Sequence, residues 1–190
     1  MGKRYPALSP ELVAFLTEQK LFFVATAAAE GRINLSPKGL DTFRVLSPAR
    51  VVWLNLTGSG NETASHLRED GRITILFCAF DDPPRIVRLF GRGRAVHPRD
   101  SEWDDLSRLF PSFPGARQLI DVSISLVTTS CGFGIPYFRY DRERPTLREW
   151  AEAKGEEGIR RYWREKNART LDGKETGIEP LPPPIDQWPV

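Results

Sequence analysis

The stretch INLSPKGLD, from Ile33 to Asp41, lies between two segments with the composition of β-strands. A proline cannot donate a hydrogen bond to a β-ladder and a glycine has no side chain to pack, so Pro37 and Gly39 are unexpected inside a sheet. A Pro-Lys-Gly corner at the end of a strand, however, fixes one backbone direction, allows a positive φ at the glycine and places the Lys38 ammonium beside exposed amides. The stretch therefore predicts a strand that ends in an anion-binding corner.

Segments on both sides of this corner are typical of further strands. They are rich in β-branched and aromatic residues, and Gly, Pro or Asp bounds each of them, with mostly short connections. This spacing favours an antiparallel barrel over a parallel sheet. The segments are LFFVATAA (21–28), TFRVL (42–46), RVVWLNL (50–56), RITILFCAF (72–80), RIVRLFGRGRAV (85–96) and QLIDVSISLVTTS (118–130).

Capping residues predict where helices interrupt these strands. Ser9 is a suitable N-cap and Pro10 suits a first helical position, so a helix is expected before the first long strand. The other predicted starts are the N-caps Asn61 and Asp100 and a capping box of Thr146 with Glu149, and Gly155 and Gly158 should break the last helix.

The chain changes character after Cys131, where an apolar strand gives way to a helical pattern and then to a tail rich in Gly and Pro from Asp172. We therefore divide it into residues 1–135, a barrel domain that includes the N-terminal helix, and residues 136–190, a helical extension. The tail is expected to form an arm over the surface of its own chain or of a partner.

Composition excludes several classes of protein. The chain has 190 residues, and its 27 basic and 25 acidic residues leave a net charge of +2, which gives no general argument for a nucleic-acid partner. No apolar run approaches the ~20 residues of a membrane span, and no signal peptide is recognised. Cys78 lies in an apolar run, where a buried thiol is expected, and we expect a cytoplasmic location. His66 and His97 are too few and too scattered to predict a metal site.

A second anion-binding element follows in TGSGNETASHL (57–67), where two glycines precede a predicted helix start bearing Asn61, Thr63 and Ser65. Unpaired amides at a helix N-terminus attract anions. Together with the Lys38 corner, this start predicts two halves of one phosphate site on adjacent strands. Taken singly, the corner is equally consistent with a bulge at a barrel rim, and Asn61 with an ordinary helix cap.

Several motifs in a shared order carry a family resemblance. FFVATAA (22–28), INLSPKG (33–39), VVWLNLTGSGNETASHL (51–67), RITILFCAF (72–80) and VRLFGRGRAV (87–96) together resemble the pyridoxamine 5′-phosphate oxidase-like family of FMN-binding split barrels. SCGFGIPYF (130–138), LREWAEAKGEEG (147–158) and EKNARTLDG (165–173) are similar to a bacterial branch whose members are mostly uncharacterised. The resemblance covers about Leu21 to Gly173.

The resemblance implies a mainly β fold with flanking helices, in which a six-stranded antiparallel split barrel forms a homodimer with one FMN at each of two interface sites. The implied flavin-lining residues are Asn34, Leu35, Ser36, Pro37 and Lys38 on one strand and Asn55 and Thr57 on the next. The implied phosphate segment holds Asn61, Glu62, Thr63 and Ser65, and Arg88 and Arg92 lie on the strand that reaches the flavin from the neighbouring side.

Two departures from the family pattern qualify the expected activity. In the vitamin oxidases the phosphate segment carries an Arg-Lys pair, whereas Glu62 and Thr63 stand here. Because a carboxylate repels a phosphate, Glu62 is expected to point away, and Lys38 or an arginine should supply the positive charge. Nothing after Cys131 contains the Arg-x-His pair with which the vitamin oxidases hold their substrate, so we expect a protein that is not a genuine pyridoxamine 5′-phosphate oxidase.

The leading hypothesis is an FMN-dependent oxidoreductase that acts on a small molecule. No His or carboxylate stands out as a catalytic acid or base, and the role of Cys131 stays open. The alternatives are a non-catalytic flavin or haem carrier or sensor and a deazaflavin-dependent reductase. The substrate and the electron acceptor are not encoded in any recognisable motif.

Overall fold

The computed structural model describes residues 2–178, so most of the arm predicted from Asp172 onward lies outside the described residues. Within residues 2–178, no helix combines the length and the apolar character needed to cross a membrane.

The described chain forms one antiparallel sheet that curls into a barrel. Its strands are β1 (Lys3–Tyr5), β2 (Phe22–Thr26), β3 (Asn34–Lys38), β4 (Phe43–Ser47), β5 (Arg50–Leu56), β6 (Arg72–Cys78), β7 (Ile86–Val96) and β8 (Ala116–Ser130). The order is β3-β2-β6-β7-β8-β5-β4, and β1 pairs with β8. The mainly β class with flanking helices is confirmed, but the sheet has eight strands instead of six. Strand β1 is three residues long, too short for its alternation to be read from the sequence.

The two ends of this strand order meet and close the barrel. β3 and β4 lie at opposite ends of the order, but residues 39–42 join them, and the Leu54 amide donates to the Thr42 carbonyl at 2.8 Å. Inside, the rings of Phe22 and Phe43 lie 5.2 Å apart, and Phe22 also stacks on Phe77 at 5.3 Å. These aromatic contacts hold β2, β4 and β6 together.

Four helices and a π-helical turn flank the sheet. They are α1 (Pro10–Glu18), α2 (Glu62–Glu69), α3 (Trp103–Ser107), α4 (Thr146–Tyr162) and the turn Trp163–Asn167. Ser9 caps α1 as predicted, since its hydroxyl accepts from the Leu12 amide at 3.3 Å.

Helices α2 and α4 begin where the sequence predicted, but the predicted side-chain caps of α2, α3 and α4 are wrong. The Asn61 side chain makes no capping bond to α2. The Asp100 carboxylate accepts from the amide of His97 instead of capping α3. Helix α4 follows Pro145 with no side-chain cap, and it kinks at Gly155 (φ 64°) but continues through Gly158. Distant partners have taken the Asn61 side chain, whereas the Asp100 carboxylate is held by an amide three residues before it.

The extension packs against the residues just after β5 and just before β8. Ala151, Ile159, Trp163 and Ile178 form a buried apolar cluster of their own. Gly115 has a positive φ of 73°, and a Cβ there would lie 3.4 Å from the Ala151 methyl and 3.5 Å from Ile159 Cδ1. The positive φ favours glycine at this position, and the extension lies in van der Waals contact with it.

Candidate functional site

A pocket of about 690 Å³ opens beside the ends of β3 and β5, and the start of α4 forms its outer wall. Four of the sequence-predicted residues line it, namely Pro37, Lys38, Asn55 and Thr57. The remaining lining residues include Lys20, Leu21, Leu40, Thr42, Arg142, Glu143, Arg144, Leu147 and Trp150. Four cations and one carboxylate among these residues favour an anionic ligand.

Lys38 links β3 to β5 at this pocket. Its Nζ donates to Asn55 Oδ1 at 3.2 Å, and Asn55 is buried on β5. Burial lowers the pKa of Lys38 to about 8, with a further lowering from the charge of Arg117 and an opposing rise from Glu62. The ammonium therefore sits in a partly desolvated site where an anion would be attracted more strongly than at an open surface.

The corner after Lys38 takes the expected sharp turn at a different residue. The positive φ of 63° falls on Leu40, and Gly39 keeps a negative φ, so the predicted position is wrong. Thr42 Oγ1 donates to the Gly39 carbonyl at 2.7 Å and holds the turn. A leucine in this conformation is strained by about 1 kcal/mol or more, which the surrounding structure must offset.

A second polar group links β3 to α2. Asn34 Nδ2 donates to Thr63 Oγ1 at 3.1 Å and to Thr26 Oγ1 at 3.3 Å, and the Ser36 hydroxyl donates to Asn34 Oδ1 at 2.9 Å. Thr63 and Ser65 are buried on α2. The structure thus brings the predicted flavin strand and the predicted phosphate segment together, while Leu35 faces outward.

Loop 58–60, which connects β5 to α2, accepts hydrogen bonds from the extension. Asn167 Nδ2 donates to the carbonyls of Gly58 (3.0 Å) and Ser59 (3.4 Å), and Trp163 Nε1 donates to Thr57 Oγ1 at 2.8 Å. Asn167 is completely buried. The extension, expected from the sequence to pack on the same domain or on its dimer mate, thus contacts the predicted phosphate segment of its own chain directly.

Arg117 and Gln118, at the start of β8, complete this network. Arg117 Nη1 donates to the Gly60 carbonyl at 3.0 Å and to Asn167 Oδ1 at 2.8 Å, and Gln118 Nε2 donates to Asn61 Oδ1 at 2.8 Å. Sequence reasoning missed these residues. The only available signal was a pair of long polar residues at the head of an apolar strand, whereas no signal marked Asn167.

The structure does not bring Arg88 and Arg92 to the pocket of the same chain. Strand register runs from Pro37 through Phe23 and Leu76 to Arg88, which places Arg88 three strands away, roughly 14 Å. Arg92 donates to the Asp70 carbonyl at the C-terminal end of α2. Neither arginine lines the pocket of its own chain.

The Glu62 side chain turns back over the Gly60 backbone, and its Oε1 accepts from the Leu171 amide at 3.4 Å. Its charge raises the pKa of both Lys38 and Arg117. Glu62 is thus close enough to these two cations to offset part of their charge.

The remaining candidates of the sequence lie outside the pocket. Cys78 is buried, as expected, and Cys131 is exposed. His66 and His97 are both buried, and His66 Nδ1 lies 3.1 Å from Thr26 Oγ1.

Comparison with known proteins gives consistent matches. The family model described as pyridoxamine 5′-phosphate oxidase matches residues 8–131. A curated protein of Aspergillus flavus, the pyridoxamine 5′-phosphate oxidase family protein ustO, is 42% identical in an alignment of 192 residues, gaps included. The alignment covers 89% of this chain and 75% of that protein. Because the match covers more of this chain than the family model does, ustO also shares much of the extension.

Two solved structures show the same fold at low sequence identity. A putative pyridoxamine 5′-phosphate oxidase from Lactobacillus delbrueckii has a TM-score of 0.53 and 22% identity, over 65% of this chain and 94% of that one. A variant of HupZ from Group A Streptococcus has a TM-score of 0.52 and 15% identity, over 64% of this chain and 98% of that one. Both matches span nearly the whole of the compared chain, so the unmatched part of this chain has no counterpart there.

Proposed function

The chain belongs to the pyridoxamine 5′-phosphate oxidase family, and from this premise we propose that it binds FMN and acts as an FMN-dependent oxidoreductase on a small molecule. The proposal rests on one observation. Pro37 and Lys38, at the end of β3, and Asn55 and Thr57, at and just after the end of β5, line the same pocket. Flavin sites need an apolar wall for the ring and a few well-placed polar groups.

The donor set of the pocket fits a flavin with a phosphate tail. Pro37 and Leu40 present apolar surface, and the Lys38 ammonium has donors left beyond its bond to Asn55. Trp150 and Leu147 supply an apolar outer wall that excludes water. Bound FMN would supply hydride acceptance and donation, and the protein's own residues would hold the ring and limit solvent access.

The catalytic residues stay unassigned. Within the described lining of the pocket, Glu143 is the one carboxylate, and no histidine is present. The lysine and arginine side chains of the lining would orient an anionic substrate or the phosphate through charge and hydrogen bonds. We therefore propose binding and orientation, instead of acid or base catalysis, as the work of these side chains.

We also propose a homodimer. Leu35 on β3, Ile33 just before it, and Phe133 and Phe138 in the segment after β8 are all exposed by more than 60%. Apolar side chains this exposed favour a protein partner, and a second copy of the chain is the commonest one. Arg88 and Arg92 would then approach the pocket of the partner. Light scattering at low micromolar concentration tests the dimer, with Leu35→Asp expected to give monomers and Leu109→Asp as control.

The proposed activity differs from that of the vitamin oxidases. The last histidine of the chain is His97, so no Arg-x-His pair can hold a substrate phosphate after Cys131. A site that lacks the donors for a dianionic group loses orders of magnitude in turnover. FMN-loaded protein should therefore form no appreciable pyridoxal phosphate from pyridoxine phosphate, and turnover near ~1 per second would contradict this.

Ligand identification and activity assays on the purified protein distinguish the proposal from its alternatives. A flavin absorption spectrum, FMN in the mass spectrum of the released ligand, and oxidation of NAD(P)H or reduction of a dye would support the oxidoreductase. Bound FMN without any turnover would favour a carrier or sensor, and a deazaflavin in the spectrum a different reductase. The haem alternative has no accessible histidine to ligate iron, because His66 and His97 are both buried. A colourless protein that also fails to bind added FMN would refute the proposal.

A further inference from the structure

A second concave surface, here called the α4 groove, lies between helix α4 and the residues just before β8. Its volume is about 720 Å³, and within residues 2–178 it has no lining residue in common with the pocket beside β3 and β5. Its apolar lining includes Phe113, Pro114, Ala116, Ala151, Ile159 and Trp163. An apolar concavity of this size is typical of a binding surface, and contact of its lining with water is unfavourable.

The described part of the chain ends in this groove. Ile178, its last residue, lines the groove, is 3% exposed and packs in the buried apolar cluster of the extension. The Arg99 guanidinium donates to the carbonyls of Gly177 (2.6 Å) and Ile178 (3.0 Å). The chain is thereby fixed at the point where residues 179–190 begin, and these residues start from the lining of the groove.

Residues 179–190, here called the C-terminal segment, have a composition that suits an apolar groove with aromatic side chains. Their sequence is EPLPPPIDQWPV, in which five of the twelve residues are proline. The other apolar residues are Leu181, Ile185, Trp188 and Val190. Proline-rich segments favour the polyproline II conformation, which has few backbone donors to satisfy and loses little entropy on binding. Such segments bind in grooves lined by aromatic side chains.

The charges of the groove and of the C-terminal segment are complementary. The charged lining residues are Arg99, Arg160, Arg164, Glu152 and Glu156. Both glutamates form ion pairs with arginines of α4 itself. The C-terminal segment carries Glu179 and Asp186 and no lysine or arginine. The excess positive charge of the lining therefore attracts this segment, and it favours an acidic occupant over a basic one.

The C-terminal segment is long enough to run along the whole groove. In polyproline II its twelve residues would extend about 37 Å, at ~3.1 Å per residue. The α4 residues that line the groove, from Ala151 to Arg160, span only about 14 Å, at ~1.5 Å per residue. Because the segment is attached beside the groove, its local concentration there is on the order of millimolar, which favours the groove of its own chain.

We propose that residues 179–190 bind in the α4 groove of their own chain. In this proposal the arm expected from the sequence covers its own chain, and it removes the apolar lining of the groove from water. Leu147 and Trp150, near the start of α4, line the pocket beside β3 and β5. The bound segment would hold α4 in place and thereby stabilise one wall of that pocket. The proposal does not depend on the ligand of the pocket.

Photo-crosslinking in the full-length protein tests this contact. The experiment places p-benzoylphenylalanine at position 188 instead of Trp188, irradiates the protein and maps the adducts by mass spectrometry. Adducts are expected on peptides that contain residues 113–116 or 151–164, in protein of monomer mass on a denaturing gel. The matched control carries the same label instead of Leu171, which is 76% exposed and lies outside the groove, and it should give no adduct on those peptides.

Amide hydrogen exchange provides a second readout. Leu181→Asp places a charge in the apolar part of the C-terminal segment, so exchange of the α4 amides should become about tenfold faster, while exchange of the β8 amides stays as in the wild type. Gln187→Asp is the matched control, since it adds the same charge at a polar position of the segment. It should change the exchange of α4 by less than about twofold.

Each outcome bears on the proposal. Adducts confined to other parts of the chain, or no adduct at all, would overturn it. Adducts on the same peptides in protein of dimer mass would assign the C-terminal segment to the groove of a partner subunit and overturn its binding in the same chain. Equal α4 exchange in Leu181→Asp and the wild type would contradict the contact with α4. If Leu181→Asp accelerates exchange in β8 as well, the fold is destabilised as a whole, and the crosslink, which does not need this substitution, decides.

Discussion

Arg117 Nη1 donates to the Oδ1 of Asn167 at 2.8 Å, across fifty residues of sequence and with both side chains buried. This bond joins the head of the longest strand to the C-terminal extension, directly behind the loop that leads into α2. The phosphate segment of the barrel is therefore supported by residues that follow the barrel in the chain.

Replacing Asn167 by Ala should destabilise the protein. The substitution removes the donor to Gly58 and Ser59 and one acceptor of Arg117, so several buried polar groups lose a partner. We expect a loss of about 2 to 3 kcal/mol in the free energy of unfolding, measured by urea denaturation. Lys166→Ala, at the exposed neighbouring position, should change it by less than about 0.5 kcal/mol. Equal values for the two variants would contradict the supporting role of Asn167.

Replacing Glu62 by Gln should strengthen FMN binding. The carboxylate lies near Lys38 and Arg117 and would repel a phosphate, whereas the amide keeps the size of the side chain. We expect a gain of about three- to tenfold in FMN affinity with no change for riboflavin, measured by fluorescence titration. A weaker FMN complex would show that Glu62 supports the site instead of opposing it.

Replacing Lys38 by Ala should weaken FMN binding by about 1.5 to 3 kcal/mol if the ammonium contacts the phosphate directly. The same variant leaves Asn55 Oδ1 without its donor, so its unfolding must be measured alongside. An FMN affinity equal to that of the wild type would assign the charge to other residues, with Arg88 and Arg92 of a partner subunit as the remaining sequence-predicted candidates.

The affinity for FMN should also depend on pH through Lys38. Because burial lowers the pKa of Lys38 from 10.5 to about 8, the free protein loses this charge as the pH rises through about 8. FMN affinity should therefore fall between about pH 7 and pH 9, whereas riboflavin affinity should not follow it. The charged groups around Lys38 are Arg117 and Glu62 in the network and Lys20, Arg142, Glu143 and Arg144 in the pocket wall.

Lys38→Arg is the matched variant for this dependence, because a guanidinium keeps its charge over the whole range. Its FMN affinity should stay flat where that of the wild type falls. Parallel curves for the two proteins would assign the titration to another group.

Acid stability should depend on His97. Burial lowers the pKa of this histidine from 6.5 to about 4, with further lowering by Arg99, Arg68 and Arg117 and an opposing rise from Asp100. The folded protein holds it neutral, so the unfolded chain binds a proton that the folded one does not, and stability falls as the pH drops from 6.5 toward 4.

His97→Gln should remove this part of the acid dependence, about 1 to 2 kcal/mol over that interval, in urea denaturation at a series of pH values. The comparison uses the slope against pH and not the absolute stability, because the substitution also changes packing. Identical slopes for the two proteins would contradict a neutral buried histidine.

Much of the barrel could be predicted because its signals are local. Alternation in QLIDVSISLVTTS and the Ser9-Pro10 start depend on neighbouring residues, and both predictions are confirmed in β8 and α1. The predicted caps at α2 and α3 failed because other groups hold the capping side chains, distant ones for Asn61 and a neighbouring amide for Asp100. Asn61 is bound to Gln118 and Asn167, and Asp100 to the His97 amide.

The residues of the candidate site fall into the same two groups, those predicted from the sequence and those that depend on tertiary contacts. The Pro37-Lys38 corner was predicted from the residues, and Asn55 and Thr57 were implied by the family resemblance. All four line one pocket because the corner after Lys38 joins the two ends of the sheet. Arg117 was not predicted, because its type and position are equally those of a solvent-exposed residue at a strand start. Its burial follows from the packing of the extension.

The sequence by itself determined the longer strands, the family resemblance and the absence of the basic pair at Glu62 and Thr63, because these follow from residue types at short separations. Only the tertiary structure decided which cations lie near Glu62. Strand order carries Arg117 to the loop before α2, and the extension places Asn167 against it fifty residues later in the chain. Burial and charge compensation depend on the three-dimensional distance between such groups, which no local pattern of residues specifies.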